Sequence, residues 1–300
     1  MLRPVVVAGL DGSRESDAAA HWAAREALRR GLPLRLVHAW EGMPDEGRPP
    51  TLPELQAPQD RALKVLRSAG DRLNERYPQL CIVTEQLRRP PGPALLAEAE
   101  DAELLVLGSR GFGGVGGFFA GSVAMATVAH AGRPVVLVRS GHTRQDDHLP
   151  DRSGEPSVHT PCRDVAVALD VGGPCDEVLE FALRAAQARG APLRVVHAWH
   201  VPYRHGLVDA EERAQDRARA ERELRALLEP WREKYAGVFV RETLSEGRPA
   251  RLVVKAAGGA GLLVVGRRRR RRGAVGSHLG PVAHTLIREV ACPVAVVPHD

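Results

Sequence analysis

The chain of 300 residues repeats one sequence pattern in its two halves. Residues 32–40 read Leu-Pro-Leu-Arg-Leu-Val-His-Ala-Trp, and residues 191–199 read Ala-Pro-Leu-Arg-Val-Val-His-Ala-Trp. The offset of 159 residues between these segments also relates Asp11 to Asp170 and Pro134 to Pro293. A constant offset over most of each half indicates two copies of one domain rather than a shared short motif.

Composition is that of a globular protein with two cores. Hydrophobic residues make up 44% of the chain and charged residues 26%, and the length suits two domains. Aromatic residues reach only 4%, so the cores have to be built from Val, Leu and Ala. No apolar run approaches the roughly 20 residues of a membrane span, and a strand begins without a leader. With four scattered cysteines and no CxxC pair, this predicts a cytoplasmic protein with structural thiols and no membrane partner.

Strand and helix patterns alternate along both copies. The first copy predicts strands over residues 5–10, 34–39, 81–87, 104–107 and 134–138, with helices over 16–30, 61–75, 93–100 and 122–131. The second predicts strands over 165–169, 193–198, 238–244, 262–265 and 294–297, with helices over 177–189 and 209–228. Continuous apolar runs are typical of strands buried on both faces of a parallel sheet. The alternation therefore predicts doubly wound α/β domains with right-handed crossovers.

A polar segment without periodicity separates the two copies. Residues 140–160 are rich in Gly, Pro, Asp and His, as interdomain connections often are. We therefore expect a first domain over residues 1–140, a linker over 141–161 and a second domain over 162–300. The Pro-rich stretch 43–58 is longer than most connections, and we regard it as a candidate lid over a site.

Two features of the first copy fall where parallel sheets bind ligands, beyond the carboxyl ends of the strands. Asp11 ends the first strand, and the fourth runs into Gly108-Ser-Arg-Gly111, nine further residues and Gly121-Ser122. Glycines let backbone amides approach a phosphate, and a helix N-terminus offers free N–H donors. A carboxylate suits a ribose hydroxyl or an adenine amino group. Taken alone, the pattern leaves two interpretations open, a phosphate site or an ordinary glycine loop with a serine cap.

The spacing Gly-x2-Gly-x9-Gly-Ser, together with Asp-Gly-Ser after the first strand, resembles the ATP-binding class of the universal stress protein family. The resemblance extends over both copies and includes their terminal strands. It implies two tandem Rossmann-like domains, each a five-stranded parallel sheet with helices on both faces. It also implies that the chain binds ATP or a related adenine nucleotide, with or without Mg²⁺.

The resemblance assigns binding roles by position. In the first copy, the backbone near Val37 and the Asp11 carboxylate would hold the adenosine, while the glycine loop would surround the phosphates. The implied cofactor-binding residues there are Asp11, Gly12, Ser13, Val37, Gly108, Ser109, Arg110, Gly111, Gly121, Ser122 and Val123. Their counterparts in the second copy are Asp170, Gly266 and Gly280.

The second copy departs from this pattern. Arg269 stands in place of the second glycine, and Gly266 to Gly280 spans one residue more than Gly108 to Gly121. Pro281 replaces the serine, which removes a hydroxyl group and a backbone N–H donor. We therefore predict that the second site binds nucleotide weakly or not at all.

The arginine tract Arg267–Arg272 allows three interpretations: a solvated loop, a clamp for phosphate oxygens, or a contact to nucleic acid. A basic loop without interleaved aromatic residues gives only sequence-blind attraction, so we do not expect a nucleic-acid partner. His38 and His197 repeat beside tryptophan at strand ends, which favours structural roles over metal binding, and no metal site is predicted.

Other nucleotide-binding motifs fit poorly. Residues 111–116 match GxGxxG, but they follow the fourth strand and lack the acidic residue that dinucleotide binding needs about 20 positions later. GxxxxGK[ST] does not occur in the chain, which argues against a P-loop ATPase.

The function predicted from the sequence is a regulatory module that binds an adenine nucleotide, mainly in the first copy, in a stress response. No nucleophile with a paired base is evident, so catalytic residues are not assigned. Two alternatives stay open: a slow ATP hydrolase using Asp11 or a metal-bound water, and a structural stress scaffold that binds no nucleotide. The short apolar final strands also suggest edge pairing, between the two copies or in a homodimer.

Overall fold

The alternating strands and helices form two α/β units, Met1–Arg144 and Gln145–Asp300. The computed structural model describes residues 4–41, 53–109, 121–199, 210–269 and 279–300. The elements of the first unit are β1 (Val6–Gly9), α1 (Arg14–Arg30), β2 (Leu34–Ala39), α2 (Pro53–Arg76), β3 (Ile82–Leu87), α3 (Pro91–Asp101), β4 (Leu104–Ser109), α4 (Ser122–His130) and β5 (Val135–Arg139). Its five strands are parallel, in the order β3-β2-β1-β4-β5. The strand order reverses between β1 and β4, which is where parallel α/β sheets bind ligands.

Helices cover both faces of the first sheet. All four residues of β1 are buried, and side chains alternate across a sheet, so both faces must be covered. A Cβ built on Gly9 would meet Leu107 and Leu95 of α3, whereas one on Gly108 would meet the backbone of α1. Helices α1 and α3 therefore lie on opposite faces. Helix α2 packs beside α1, and α4 packs beside α3.

The second unit repeats this plan. A short 3₁₀ turn (Gln145–Asp147) precedes β6 (Val165–Leu169), α5 (Asp176–Arg189), β7 (Leu193–Trp199), α6 (Ala210–Lys234), β8 (Val240–Glu246), α7 (Pro249–Ala256), β9 (Leu262–Arg268), α8 (Pro281–Glu289) and β10 (Val294–His299). Its five strands are also parallel, in the order β10-β9-β6-β7-β8. The prediction of two tandem five-stranded α/β domains is confirmed.

Several boundaries differ from the predicted ones. Helix α2 begins at Pro53 and continues through Pro58, whereas the pattern placed its start near residue 61. Strand β9 continues to Arg268, three residues beyond its predicted end, because it pairs along the whole of β10. Helices α7 and α8 hold the places of α3 and α4, although no separate prediction was made for them.

The polar segment between the copies is held by hydrogen bonds. The Leu149 N–H donates to the Pro161 carbonyl at 2.9 Å, and the Arg163 N–H donates to the Asp147 carbonyl at 2.9 Å. The Asp151 carboxylate closes a turn by accepting from the N–H groups of Ser153 and Glu155. Residues 145–161 therefore belong to the second unit by contact, and periodicity could not reveal this because side chains and turns supply the order.

Val, Leu and Ala build the cores, as the scarcity of aromatic residues predicted. Trp22 is fully buried in α1, and Phe181 occupies the equivalent place in α5. Among the described helices, none combines the length and the apolar character that crossing a membrane requires.

Candidate functional site

The first turn of α1 orders the residues that follow β1. Ser13 caps the helix by accepting from the Ser16 N–H at 3.1 Å. The Asp11 carboxylate accepts from the Ser13 N–H at 2.9 Å, and the Asp11 N–H donates to the Ser16 hydroxyl at 3.3 Å. Gly12 adopts a φ of +82°, which favours glycine, so the turn between strand and helix can be this short. These contacts fix the carboxylate at the end of β1.

The charge on Asp11 is stabilised locally. Partial burial acts to raise the pKa of its carboxyl group, but hydrogen bonds from Ser13 and Ser16 outweigh burial and leave the pKa below its ordinary value. Asp11 is therefore an anion at neutral pH. It is also exposed to solvent and available to a ligand.

Gly108 lines the candidate cavity and also lets α1 pack closely on β4. A Cβ at this position would lie 2.5 Å from the Glu15 carbonyl carbon and 2.7 Å from the Ser16 nitrogen. Because both atoms belong to the backbone of α1, they cannot move aside as a flexible side chain could. Gly108 thus lets the start of α1 rest directly on the end of β4, and Asp11 and Gly108 line one cavity.

Gly121 has a different environment. A Cβ there would meet no atom of the described residues within 4 Å, and its φ of −45° is open to any residue. Gly121 is the N-cap of α4, and no side chain caps the helix. Neither packing nor backbone conformation requires glycine, and its lack of a side chain leaves the start of the helix open.

These elements enclose a cavity of about 250 Å³ at the carboxyl ends of β1 and β4. Its polar side includes Asp11 and Ser13, and Gly121 and Ser122 lie at the start of α4. Its apolar wall comes from β2, α3 and β4. The predicted site residues that line it are Asp11, Ser13, Val37, Gly108, Gly121, Ser122 and Val123.

The other predicted residues of the first copy are placed elsewhere. Ser109 is buried at the end of β4 and does not line this cavity. Gly12 lines a different groove, between α1 and α2. Arg110 and Gly111 lie outside the described residues. Val37 contributes through its position in β2, where its carbonyl accepts from the Leu10 N–H at 2.8 Å.

Sequence reasoning missed the apolar wall formed by Ala39, Pro91, Leu95 and Leu107. Ala39 and Leu107 lie at the ends of strands that the sequence already predicted. The rule that ligands bind beyond strand ends could therefore have found these two. Pro91 and Leu95 lie at the start of α3, and only the packing of α3 on the sheet brings them to the site.

The second unit keeps the acidic turn. The Asp170 carboxylate accepts from the Gly172 N–H at 3.1 Å, as Asp11 does from Ser13. A Cβ on Gly266 would meet the His299 imidazole at 2.7 Å, so this glycine also permits close packing. Gly280 is the N-cap of α8 with open space around it, but Pro281 follows and offers no N–H donor.

Arginines enter the second site from β9. Arg267 is buried, and the Arg268 guanidinium lies so close to Gly173 that a Cβ on that glycine would overlap it. The Arg269 N–H donates to the His299 carbonyl at 2.6 Å. The arginine tract thus begins within a strand, and Arg270–Arg272 lie outside the described residues.

The structure also bears on the histidines and on metal binding. The Nδ1 atom of His197 lies 3.0 Å from the Leu169 carbonyl oxygen in a buried position, which fits the predicted structural role. Across the described residues, no group of three or more His, Cys, Asp or Glu side chains is arranged to hold a metal ion.

The fold and this cavity define a tandem, doubly wound α/β protein with a site at the strand ends of its first unit. The model of the universal stress protein family matches residues 1–139 and 162–298. The chain therefore belongs to the universal stress protein family, as its motifs indicated.

Full-length relatives and solved structures agree. The chain is 34% identical to universal stress protein Rv2005c of Mycobacterium tuberculosis over 315 residues, covering 97% of this chain and 96% of the relative. It is 30% identical to a universal stress protein of Mycolicibacterium smegmatis with the same coverage. The crystal structure of a universal stress protein from Archaeoglobus fulgidus covers 99% of this chain and 98% of its own length, with a TM-score of 0.67 and 16% identity. This last likeness shows the fold alone.

Proposed function

We propose that the first unit binds an adenine nucleotide, and ATP in particular, in the cavity between Asp11 and the start of α4. One observation carries the proposal: the uncapped N-terminus of α4 shares a single cavity with an anchored carboxylate. The helix end suits phosphate oxygens, and the carboxylate suits hydroxyl or amino hydrogens. A nucleotide carries both kinds of group at its two ends.

Each wall of the cavity has a role in this proposal. Asp11 accepts hydrogen bonds from the ribose or the base, and the backbone near Val37 borders the adenine. Leu95 and Leu107 supply apolar surface for the face of the ring. Gly121, Ser122 and Val123 present the N–H groups of α4 to the phosphates. The volume of about 250 Å³ lies just below the roughly 300–1,000 Å³ of typical small-molecule sites.

The second unit is proposed to bind nucleotide weakly or not at all. Pro281 removes one donor from the start of α8, and the Arg268 side chain occupies space beside Gly173. In this proposal the chain holds one nucleotide, and the occupied first unit acts as a regulatory module in a stress response. Membership of the universal stress protein family supports the stress role.

Calorimetric titration of ATP into the full chain tests the proposal. We expect one site per chain. Gly121→Val should abolish binding, because its side chain enters the space beside the helix end while the fold has room for it. Gly280→Val is the matched control, since that position is equally open, and it should leave binding unchanged. Equal affinity in Gly121→Val and wild type, or two equivalent sites, would contradict the proposal.

A further inference from the structure

A second and larger cavity lies on the other side of the first turn of α1. It is a groove of about 1040 Å³ between α1 and α2, and residues 141–144, which follow β5, also line it. Leu10, Ser13 and Ser16 border both cavities, and the rest of the groove faces away from the proposed nucleotide site. The nucleotide function proposed above does not use it.

Positive charge dominates the groove. On α2, Arg61, Lys64, Arg72 and Arg76 are spaced so that they fall on one helix face, which spans about 22 Å at 1.5 Å per residue. Helix α1 adds Arg14 and Arg25, and Arg144 follows β5. The four α2 side chains are exposed.

Little negative charge balances these cations. Among the described residues, Asp17 is the single carboxylate that lines the groove, and it already pairs with Arg72. Asp60 and Asp71 lie on the adjoining side of α2, where they border a depression that shares Lys64, Ser68 and Arg72 with the groove. Like charges on one helix face repel one another, so an anion along the groove would stabilise this arrangement.

The shape and chemistry of the groove indicate the kind of anion. Cations at intervals along an extended groove match a chain that carries a negative charge at every unit. Tyr77 is the one Phe, Tyr or Trp that lines it; its side chain is only 8% exposed and meets the edge of His21 at 6.1 Å between ring centroids. An open aromatic platform, on which nucleic-acid bases usually stack, is therefore lacking among the lining residues.

We propose that the groove between α1 and α2 binds a linear phosphate polymer, an inorganic polyphosphate, through its arginine and lysine side chains. Guanidinium and ammonium groups would each bind phosphate oxygens of successive units. The Ser68 hydroxyl lies on the same face of α2 and lines the groove among the cations, where it can donate a further hydrogen bond.

The second copy provides an internal comparison. Tyr77 and Tyr235 hold equivalent places, since each N–H donates to the carbonyl four residues earlier, so α2 and α6 are related by an offset of 158. With the offset of 158, Pro230 stands at the position of Arg72. With the offset of 159 that relates α1 to α5, Gly173 stands at the position of Arg14 and Glu180 at that of His21. Glu180 pairs with Lys234 at 3.0 Å. The second copy has thus lost two cations and gained a carboxylate.

His21 offers a reporter inside the groove. Burial lowers the pKa of its imidazole; Asp17 acts in the opposite direction, and Arg25, Arg72 and Arg76 lower the pKa further. A bound polyanion adds negative charge beside the ring, so it should raise the pKa of His21. The titratable and charged groups around the ring are Asp17, Arg25, Arg72, Arg76 and Tyr77, with His142 and Arg144 also lining the groove.

Calorimetric titration of a linear polyphosphate into the full chain tests the inference. The probe should be long enough to span the groove, and a single-stranded oligonucleotide of equal charge should be measured beside it. We expect the polyphosphate to bind more tightly, with an affinity that falls steeply with salt. The double variant R61E/K64E should bind at least about tenfold more weakly, since two charged contacts are lost.

The matched control is R219E/R222E, which reverses the charges at the equivalent positions of α6 and should leave affinity unchanged. Both double variants should keep the circular dichroism spectrum and the unfolding midpoint of wild type, which shows that they are folded. NMR titration should show the pKa of His21 rising when polyphosphate binds. Equal weakening in both double variants, unchanged affinity in R61E/K64E, or tighter binding of the oligonucleotide would overturn the inference.

Discussion

Helices α1 and α5 hold equivalent places in the two copies but begin at different points. Their ends match at the offset of 159, Arg30 with Arg189, whereas α1 begins at Arg14 and α5 only at Asp176. Pro174 restricts the residue before it to extended conformations, so the second helix starts about one turn late. The Arg268 side chain lies beside Gly173, where the first copy has the start of its helix.

Under the proposed function, this difference explains how the second unit can keep the carboxylate and still bind nucleotide weakly or not at all. Both copies retain the acidic turn, because Asp11 and Asp170 each accept from an N–H two residues later. The residues after that turn differ. In the first copy they form the first turn of α1, whereas in the second copy they are Gly173 and Pro174, with the Arg268 side chain beside them. The helix turn, and the N–H group of Ser122 where the second copy has Pro281, therefore distinguish the first unit more than the carboxylate does.

The largest effect on the free energy of unfolding should come from substitution of Gly108, which packs against the first turn of α1. Gly108→Ala places a Cβ against the backbone of Glu15 and Ser16, so the variant should lose about 3 kcal/mol of unfolding free energy. Gly266→Ala meets mainly the tip of the His299 side chain, which can move, and should lose about 1 kcal/mol. Chemical denaturation measures both. Equal losses would show that the first helix turn is not packed more tightly than its counterpart.

The next effect concerns the two carboxylates. Asp11→Ala should weaken ATP binding by at least tenfold, because a charged hydrogen-bond partner is removed. Asp170→Ala should leave it unchanged.

The pH dependence follows from the direction of the Asp11 shift. Because the pKa of Asp11 lies below its ordinary value of about 4, its contribution to affinity should be constant from about pH 5 to 8 and lost as pH falls through the depressed value. Calorimetry over this range checks the expectation. If Asp11→Ala and Asp170→Ala weakened ATP binding equally, nucleotide would bind in both copies.

Much of this architecture could be predicted from the sequence, because the duplication and the apolar runs are local signals. The position of Asp11 after β1 and the glycine loop after β4 were recognised in this way. The close approach of α1 to Gly108 was not, since it depends on the packing of α1 on β4, which is a long-range contact.

The basic groove illustrates a different limit. The spacing of Arg61, Lys64, Arg72 and Arg76 could have been recognised as one helix face from the sequence. That Arg14 and Arg25 face them depends on α1 packing beside α2, which is a long-range contact. The arginines of β9 show the same limit, because their spacing suggested a loop and their pairing with β10 made them part of a strand.

The smallest effect should come from the cap that begins the longer helix. Ser13→Ala removes the acceptor for the Ser16 N–H and should lower the free energy of unfolding by about 1 kcal/mol. Gly172→Ala, at the equivalent position of the second copy, removes no such cap, because the late start of α5 leaves Cys175 as its N-cap without a side-chain bond. Ser13→Ala should also raise the pKa of Asp11, which loses the hydrogen bond from the Ser13 side chain. Denaturation and NMR titration measure the two effects, and an unchanged pKa of Asp11 would show that the Ser13 hydroxyl does not stabilise the carboxylate.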